Sequence, residues 1–218
     1  MISLPSVIPI FPLPNLVLFP EVTTPLHIFE PRYRAMVADA YKGDKVIGMV
    51  LLKPGWEADY YGYPEIYSLG CAGKITKLEA LPDGRFNILL AGFAEFRVQA
   101  EIRDRPYRQA RVDWCPSTLG TGTYSAESFD YEEIREFLAY LMEGELEQLW
   151  STLTDYNLSD QQIVNFLCFY LDFTPLEKQA LLEALNDRTR YLHDLLAFKV
   201  EERKAGKGKQ GGGSIPPQ

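Results

Sequence analysis

Along the first forty residues the hydrophobic positions come in short apolar runs broken by proline. "FPLPNLVLFPEVTTPLHIFEPRYRAMV" (Phe11 to Val37) places Pro12, Pro14, Pro20, Pro25 and Pro31 among aromatic and branched residues. Proline fixes φ and removes a backbone donor, so neither a long helix nor a central strand continues through these points. "LVLF" and "PLHIF" are therefore predicted as short strands near sheet edges. At Pro31 the period changes. Tyr33, Met36, Val37 and Ala40 fall at helical spacing behind a proline suited to a first helical turn. The prediction for the stretch is strand, loop, strand, helix.

Downstream, "VIGMVLL" (46–52), "GKITKLEAL" (73–81), "RFNILLAG" (85–92) and "AEFRVQAEI" (94–102) read as strands. Phe86, Ile88 and Leu90 alternate on one of them, and Phe96, Val98 and Ala100 on the next. Between the second and third, "LPDGRF" supplies a proline that presets φ, an aspartate that bonds locally and a glycine free to take positive φ, which predicts a hairpin. "YRQARVDWCP" (107–116) is expected to close the sheet, giving an antiparallel, partly closed barrel. From Phe129 the period becomes about 3.6. Ile134, Phe137, Leu138 and Leu141 share one helical stripe, with acids opposite. Ser159 with Gln162 and Thr174 with Pro175 and Glu177 have capping-box spacing. Asp187 is placed to cap a last helix whose apolar side is Tyr191, Leu192, Leu195 and Leu196. About four helices are expected, packed as a bundle.

Charge divides the chain at the same place. Residues 1–115 carry thirteen charges of each sign, 116–198 carry four positive and fifteen negative, and the last twenty carry five positive and two negative, which together give the net −8 of the 218 residues. The predicted organisation is a β-domain at 1–115, a Gly/Ser/Thr-rich linker at 116–127, a helical bundle at 128–204 and a disordered tail at 205–218.

The candidate chemistry is sparse. No apolar run is long enough to cross a membrane, and the N-terminus lacks a basic region and cleavage site, so a cytoplasmic protein is expected. Cys71, Cys115 and Cys168 are scattered and odd in number, as reduced thiols are, and with two histidines they give no metal-ligand spacing. The phosphate-loop pattern G-x-x-x-x-G-K-[ST] is not matched at Gly70–Thr76 or in the tail, and neither a G-x-S-x-G elbow nor an H-E-x-x-H pair occurs. No cofactor, metal or catalytic residue is assigned. His27 reads as a packed or edge-facing strand residue, His193 as solvent-facing, and Glu30 with Arg32 as a local pair at a strand-to-helix junction. The negative net charge and lack of a dense Lys/Arg patch argue against nucleic acid.

"IPIFPLPNLVLFPEVTTPLHIFEPRY", "LGCAGKITKLEALPDGRFNILLAGFAEFRV" and "LSDQQIVNFLCFYLDFTPLEKQALLEALNDRTRYLHDLLAFKVEE", in that order, resemble the signature blocks of the Lon protease N-terminal domain over about residues 6–203. The resemblance implies an α+β fold, a PUA-like antiparallel β pseudo-barrel with one helix followed by a helical bundle, and a role in engaging substrates. It makes the proline-rich stretch scaffold. Full-length Lon continues into ATPase and Ser-Lys proteolytic domains, which have no counterpart in these residues. The expectation is a non-catalytic module for unfolded or exposed hydrophobic polypeptide segments, acting alone or with a separate protease or chaperone. PUA-like folds also hold RNA, and this is the alternative, with an unrecognised hydrolase behind it. For the contact surface the candidates are Trp56, Tyr60, Tyr61, Tyr63 and Tyr67, in the Gly- and Pro-punctuated segment "PGWEADYYGYPEIY" (54–67). Loops on rigid scaffolds carry function, and Tyr and Trp are enriched at binding hot spots. The alternative is that these rings fold back as a lid over the β-domain core.

Overall fold

The computed structural model describes residues 4–115, 130–142, 150, 153 and 158–210. Six strands form one sheet: β1 (Val7–Leu13), β2 (Thr23–Ile28), β3 (Val46–Leu51), β4 (Leu69–Ala80), β5 (Phe86–Ile102) and β6 (Gln109–Trp114). Among the described residues the full helices are α1 (Pro31–Lys42), α2 (Tyr131–Met142), α3 (Asp160–Tyr170), α4 (Pro175–Glu183) and α5 (Arg188–Gln210). The strand order is β2-β5-β4-β3-β1-β6, and β6 also pairs with β5. Strands β5, β4, β3, β1 and β6 thus close into a ring, with β2 added to the outside of β5. The fold is α+β.

Three strand predictions need correction. The pseudo-barrel is not wholly antiparallel, because β1 and β3 run parallel from Ile10 opposite Gly48 to Leu13 opposite Leu51. The connection between them carries β2 and α1, long enough for a parallel crossover. "LVLF" is not a strand; Val17, Leu18 and Phe19 are buried in an irregular segment, and the strand lies upstream in β1, which contains Pro9 and Pro12. Those prolines are tolerated inside the sheet because Val7–Pro9 pair with β6 and Ile10–Leu13 with β3. Each half has a partner on one side, so a missing N–H can face the other. Finally, the two strands expected at 85–92 and 94–102 are one 17-residue strand. Gly92 marks a close backbone approach, since a Cβ there would lie 2.2 Å from the Phe19 carbonyl oxygen, and the ladder with β4 shifts register beside it.

The β4–β5 hairpin forms as expected. Gly84 takes φ +79°, Asp83 Oδ1 accepts from the Arg85 N–H at 3.1 Å, and the Leu81 N–H donates to the Arg85 carbonyl at 2.9 Å.

Inside the ring lie Ile8, Ile10, Val46, Val50, Ala72, Phe96, Ala110 and Val112. Phe96 is fully buried, and Gly48 and Gly70 leave space for its ring; a Cβ on Gly48 would sit 2.6 Å from Phe96 Cζ and one on Gly70 2.9 Å from the same atom. The outward residues of the same strands, among them Ile47, Met49, Cys71 and Leu90, belong to a second and larger core shared with α1 and the C-terminal helices. Strand β3 is therefore buried on both faces, which explains its unbroken apolar run.

Local signals set the helices. Pro31 opens α1, and Tyr33, Met36, Val37 and Ala40 are its buried side. Both capping boxes form: the Ser159 and Thr174 hydroxyls accept from the N–H groups of Gln162 and Glu177, whose side chains accept from the cap N–H groups in return. Asp187 ends a short 3₁₀ turn, Leu185–Asp187, that leads straight into α5. Leu192 and Leu196 are fully buried, whereas Tyr191 lies on the exposed side, contrary to its assignment to the apolar stripe. Helix α5 runs to Gln210, so residues 205–210 are helical where a tail was expected. The predicted linker at 116–127 and the rest of the tail, 211–218, lie outside the described residues.

One buried ion pair ties the sheet to the helices. The Arg188 guanidinium pairs with Glu95 on β5, donates to Asn165 Oδ1 at 2.6 Å, and reaches the carbonyls of Leu181 and Leu182 at 2.9 and 3.0 Å. Removing either charge would strand the other in a dry interior, a loss of about 3–5 kcal/mol. Gln179 adds a bond from its side-chain amide to the Leu69 carbonyl at 3.1 Å.

Candidate functional site

The segment between β3 and β4 leaves the barrel through Leu52 and returns at Ile66, which form an isolated antiparallel bridge. Its base is fastened by the Lys53 N–H to the Glu65 carbonyl at 2.8 Å and the Tyr67 N–H to the Leu51 carbonyl at 2.9 Å. Pro54 and Gly55 turn the chain into a single 3₁₀ turn, Trp56–Asp59. The Asp59 carboxylate then accepts from the Tyr63 N–H at 3.0 Å, which fixes the next bend. Further in, the Arg108 guanidinium reaches the Pro64 carbonyl at 2.9 Å while both its other contacts go to Glu101 at 2.7 Å.

Within this frame the five aromatic residues separate. Tyr67 is partly buried and packs against the larger core. Tyr61 is 87% exposed and Tyr63 44% exposed, with Trp56 and Tyr60 half-buried beside them. Their rings meet edge to face, Trp56 and Tyr60 at 5.6 Å and Tyr60 and Tyr61 at 5.1 Å between centroids.

Glu30 and Arg32 hold this array in place. Glu30 is the residue before α1, and its carboxylate takes Arg32 Nε at 3.0 Å and the Tyr60 hydroxyl at 2.8 Å instead of capping the helix. The Arg32 guanidinium lies 4.6 Å from the Tyr33 ring centroid, 5.1 Å from that of Tyr60 and 5.9 Å from that of Tyr61. Burial, and then the bond to the Glu30 carboxylate, push the Tyr60 phenol up from its ordinary pKa, so it stays a donor. Burial likewise raises Tyr33 to about 12. On the far side Arg103 stacks over Tyr63 at 4.0 Å. Tyr61 and Tyr63 flank a small cleft floored by Arg32, Tyr33, Pro106 and Arg108.

The pairing of Glu30 with Arg32 is the local contact that the sequence predicts. Arg103 and Arg108 are absent from that prediction, because no local pattern brings the β5–β6 turn to residues 40 and 44 positions earlier, Tyr63 and Pro64. Phe29, the last residue of the predicted strand "PLHIF", lies one position beyond the end of β2 and is 59% exposed. His27 lies exposed on strand β2, its Nδ1 2.7 Å from Asn87 Oδ1 and its Nε2 3.2 Å from Arg85. His193 is half-buried against Phe137 and pairs with Glu133 at 3.0 Å. Burial works against its charged form, but the carboxylates of Glu133 and Asp194 outweigh that and raise its pKa.

All three cysteines are free and buried, and burial raises their thiols, Cys168 to about 12. Among the described residues no group of His, Cys, Asp and Glu is arranged to hold a metal ion, and no helix is long and apolar enough to cross a membrane.

A family model described as the ATP-dependent protease La (LON) substrate-binding domain matches residues 7–197. "Lon protease 2" of Myxococcus xanthus is 30% identical over 207 residues, which cover 91% of this chain and 24% of that protein. "Lon protease" of Cytophaga hutchinsonii is 34% identical over 108 residues, 50% of this chain and 13% of that protein. The chain thus spans about a quarter or less of the length of these relatives. A Lon N-terminal domain protein from Xanthomonas campestris superposes with a TM-score of 0.59 at 24% identity, covering 88% of this chain and 97% of that one. The N-terminal domain of Mycobacterium avium complex Lon protease gives 0.62 at 16% identity, covering 88% and 98%. At these identities the two structures support the fold.

Proposed function

The chain belongs to the family of the Lon substrate-binding domain, and from that premise we propose that it is a non-catalytic module that binds exposed apolar segments of unfolded polypeptides. The observation that carries the reading is the exposure of Tyr61 at 87% on a loop fixed at its base and at Tyr60. A lid over the core would bury such a ring. Trp56, Tyr60, Tyr61 and Tyr63 form the contact surface, and Tyr67 anchors it from below. The ionisable groups here are engaged in holding the platform, Glu30 with Arg32 and Tyr60, Glu101 with Arg108, which suits binding better than turnover. Clients captured in this way would pass to a separate protease or chaperone.

The Arg–Tyr stacking is also a surface on which nucleic-acid bases could lie, and the test includes that arm. Affinity is measured for a reduced, carboxymethylated protein that cannot refold and for single-stranded RNA at physiological salt. Replacing Trp56 and Tyr61 with alanine should weaken polypeptide binding by about 1–2 kcal/mol, the scale of interface hot spots, with the melting temperature nearly unchanged. A lowered melting temperature at unchanged affinity would give these rings a lid role instead. Nanomolar RNA binding would replace the polypeptide reading.

A further inference from the structure

Strand β2 pairs with β5 along its whole length, from Thr23 opposite Ala91 to Ile28 opposite Phe86, and among the described residues no strand lies on its other side. The Gly92 N–H donates to the Val22 carbonyl at 2.8 Å just before this ladder begins. Residues that exchange hydrogen bonds alternate along an antiparallel pair. Thr24, Leu26 and Ile28 therefore turn their backbone groups toward β5, and Thr23, Pro25 and His27 turn theirs outward. Pro25 occupies an outward position, where its missing N–H costs no bond within the sheet. The open edge presents the N–H groups of Thr23 and His27 and the carbonyls of Thr23, Pro25 and His27.

An extended backbone is the partner whose alternating donors and acceptors match that row. Strand β2 carries no charged side chain of its own, reading TTPLHI with Arg85 against the His27 ring, whereas the open stretch of β4 carries Lys77 and Glu79. The edge also leads into the aromatic platform. Phe29 follows His27 at strand spacing, is 59% exposed, and stacks at 6.2 Å from the His27 ring. The next residue is Glu30, which holds Tyr60. On the sheet face across β2, β5 and β4 an open cleft is lined by Pro25, Leu26 and Leu89, with His27 and Asn87 hydrogen-bonded and Lys77 and Glu79 on its β4 side. We infer that the outer edge of β2 takes an extended segment of a client polypeptide as an added strand, which continues over Phe29 onto the Trp56–Tyr63 platform. Pro25 interrupts the ladder, so the added strand is short and its capture reversible. The inference rests on the polypeptide-binding reading for the class of partner and adds a second place where that partner is held.

The test uses the full chain and a ten-residue Val/Thr-rich peptide with lysine at each end. The peptide is compared with two forms N-methylated at alternate residues in opposite registers. An added strand turns alternate N–H groups to β2, so one methylated form should bind at least tenfold more weakly and the other within twofold of the parent. Amide exchange at Thr23 and His27 should slow at least tenfold with the parent peptide, with no change at Thr24 and Leu26. Equal affinity of all three peptides overturns the inference. Binding that is lost in the Trp56→Ala, Tyr61→Ala variant but leaves Thr23 and His27 unprotected also overturns it, while sustaining the platform. Protection of Thr23 and His27 by raised protein concentration alone names a second copy as the occupant and overturns it as well. Absence of any peptide or unfolded-protein binding removes both readings together.

Discussion

Glu30 shows how much one residue does here. It precedes a proline at a helix start, where a carboxylate is favoured by the helix dipole, and the sequence already pairs it with Arg32. Its second oxygen carries the consequence, since the Tyr60 hydroxyl bonds to it at 2.8 Å and sets the ring against Trp56 and Tyr61. That contact joins residues thirty positions apart and has no local signature. The same is true of Arg188 and Glu95, 93 positions apart, which no periodicity could have matched. Tyr60→Phe keeps the ring and removes the bond to a charged acceptor, so a loss of about 1–2 kcal/mol is expected, discounted because the site is partly exposed. Because the loop is more weakly held, Trp56 fluorescence should become more accessible to a soluble quencher while the global melting temperature falls by a few degrees or less. Unchanged quenching would show that Glu30 does not position the platform.

At the scale of elements, the features legible in sequence are those whose causes lie within a few residues. The capping boxes at Ser159 and Thr174, the proline start of α1 and the Pro-Asp-Gly hairpin all formed where they were expected. Strands β1 and β5 were misread because their causes are distant. Pro9 and Pro12 fit inside the sheet once each half of β1 has a different partner, and Gly92 admits the Phe19 carbonyl within one continuous strand. Glycines of this kind are steric necessities of the ring, which gives a quantitative expectation. A methyl group at Gly70 would meet the Met49 carbonyl oxygen at 2.3 Å, a backbone atom that cannot swing away, as well as Phe96. At Gly48 the nearest atoms are the side-chain ends of Phe96 and Ile8. Both substitutions overpack the barrel, at about 1–3 kcal/mol, and Gly70→Ala should lower the urea midpoint more than Gly48→Ala. The reverse order would mean that the Phe96 ring, not the strand backbone, limits the space.

At the scale of the molecule, the change of period and of charge near residue 115 showed a β part followed by a helical part. Neither showed that the larger core runs through both. Phe19, Cys71, Leu90, Leu167, Leu182 and Leu196 belong to one buried cluster, and Arg188 with Glu95 lies at the junction. The helices thus back the sheet and stiffen it, while the proline-rich segment, the loop after β3 and the β5–β6 turn together present the aromatic surface. We propose that unfolded polypeptide binds at that surface. Amide chemical-shift mapping tests it most directly, with the chain titrated by one protein in two forms, native and reduced with its thiols blocked. Shifts are expected with the unfolded form alone, concentrated at Gly55–Tyr63 and Arg103–Arg108 and extending to Thr23–Phe29. Shifts confined to the faces of α3, α4 and α5, or an equal response to the native form, would contradict it.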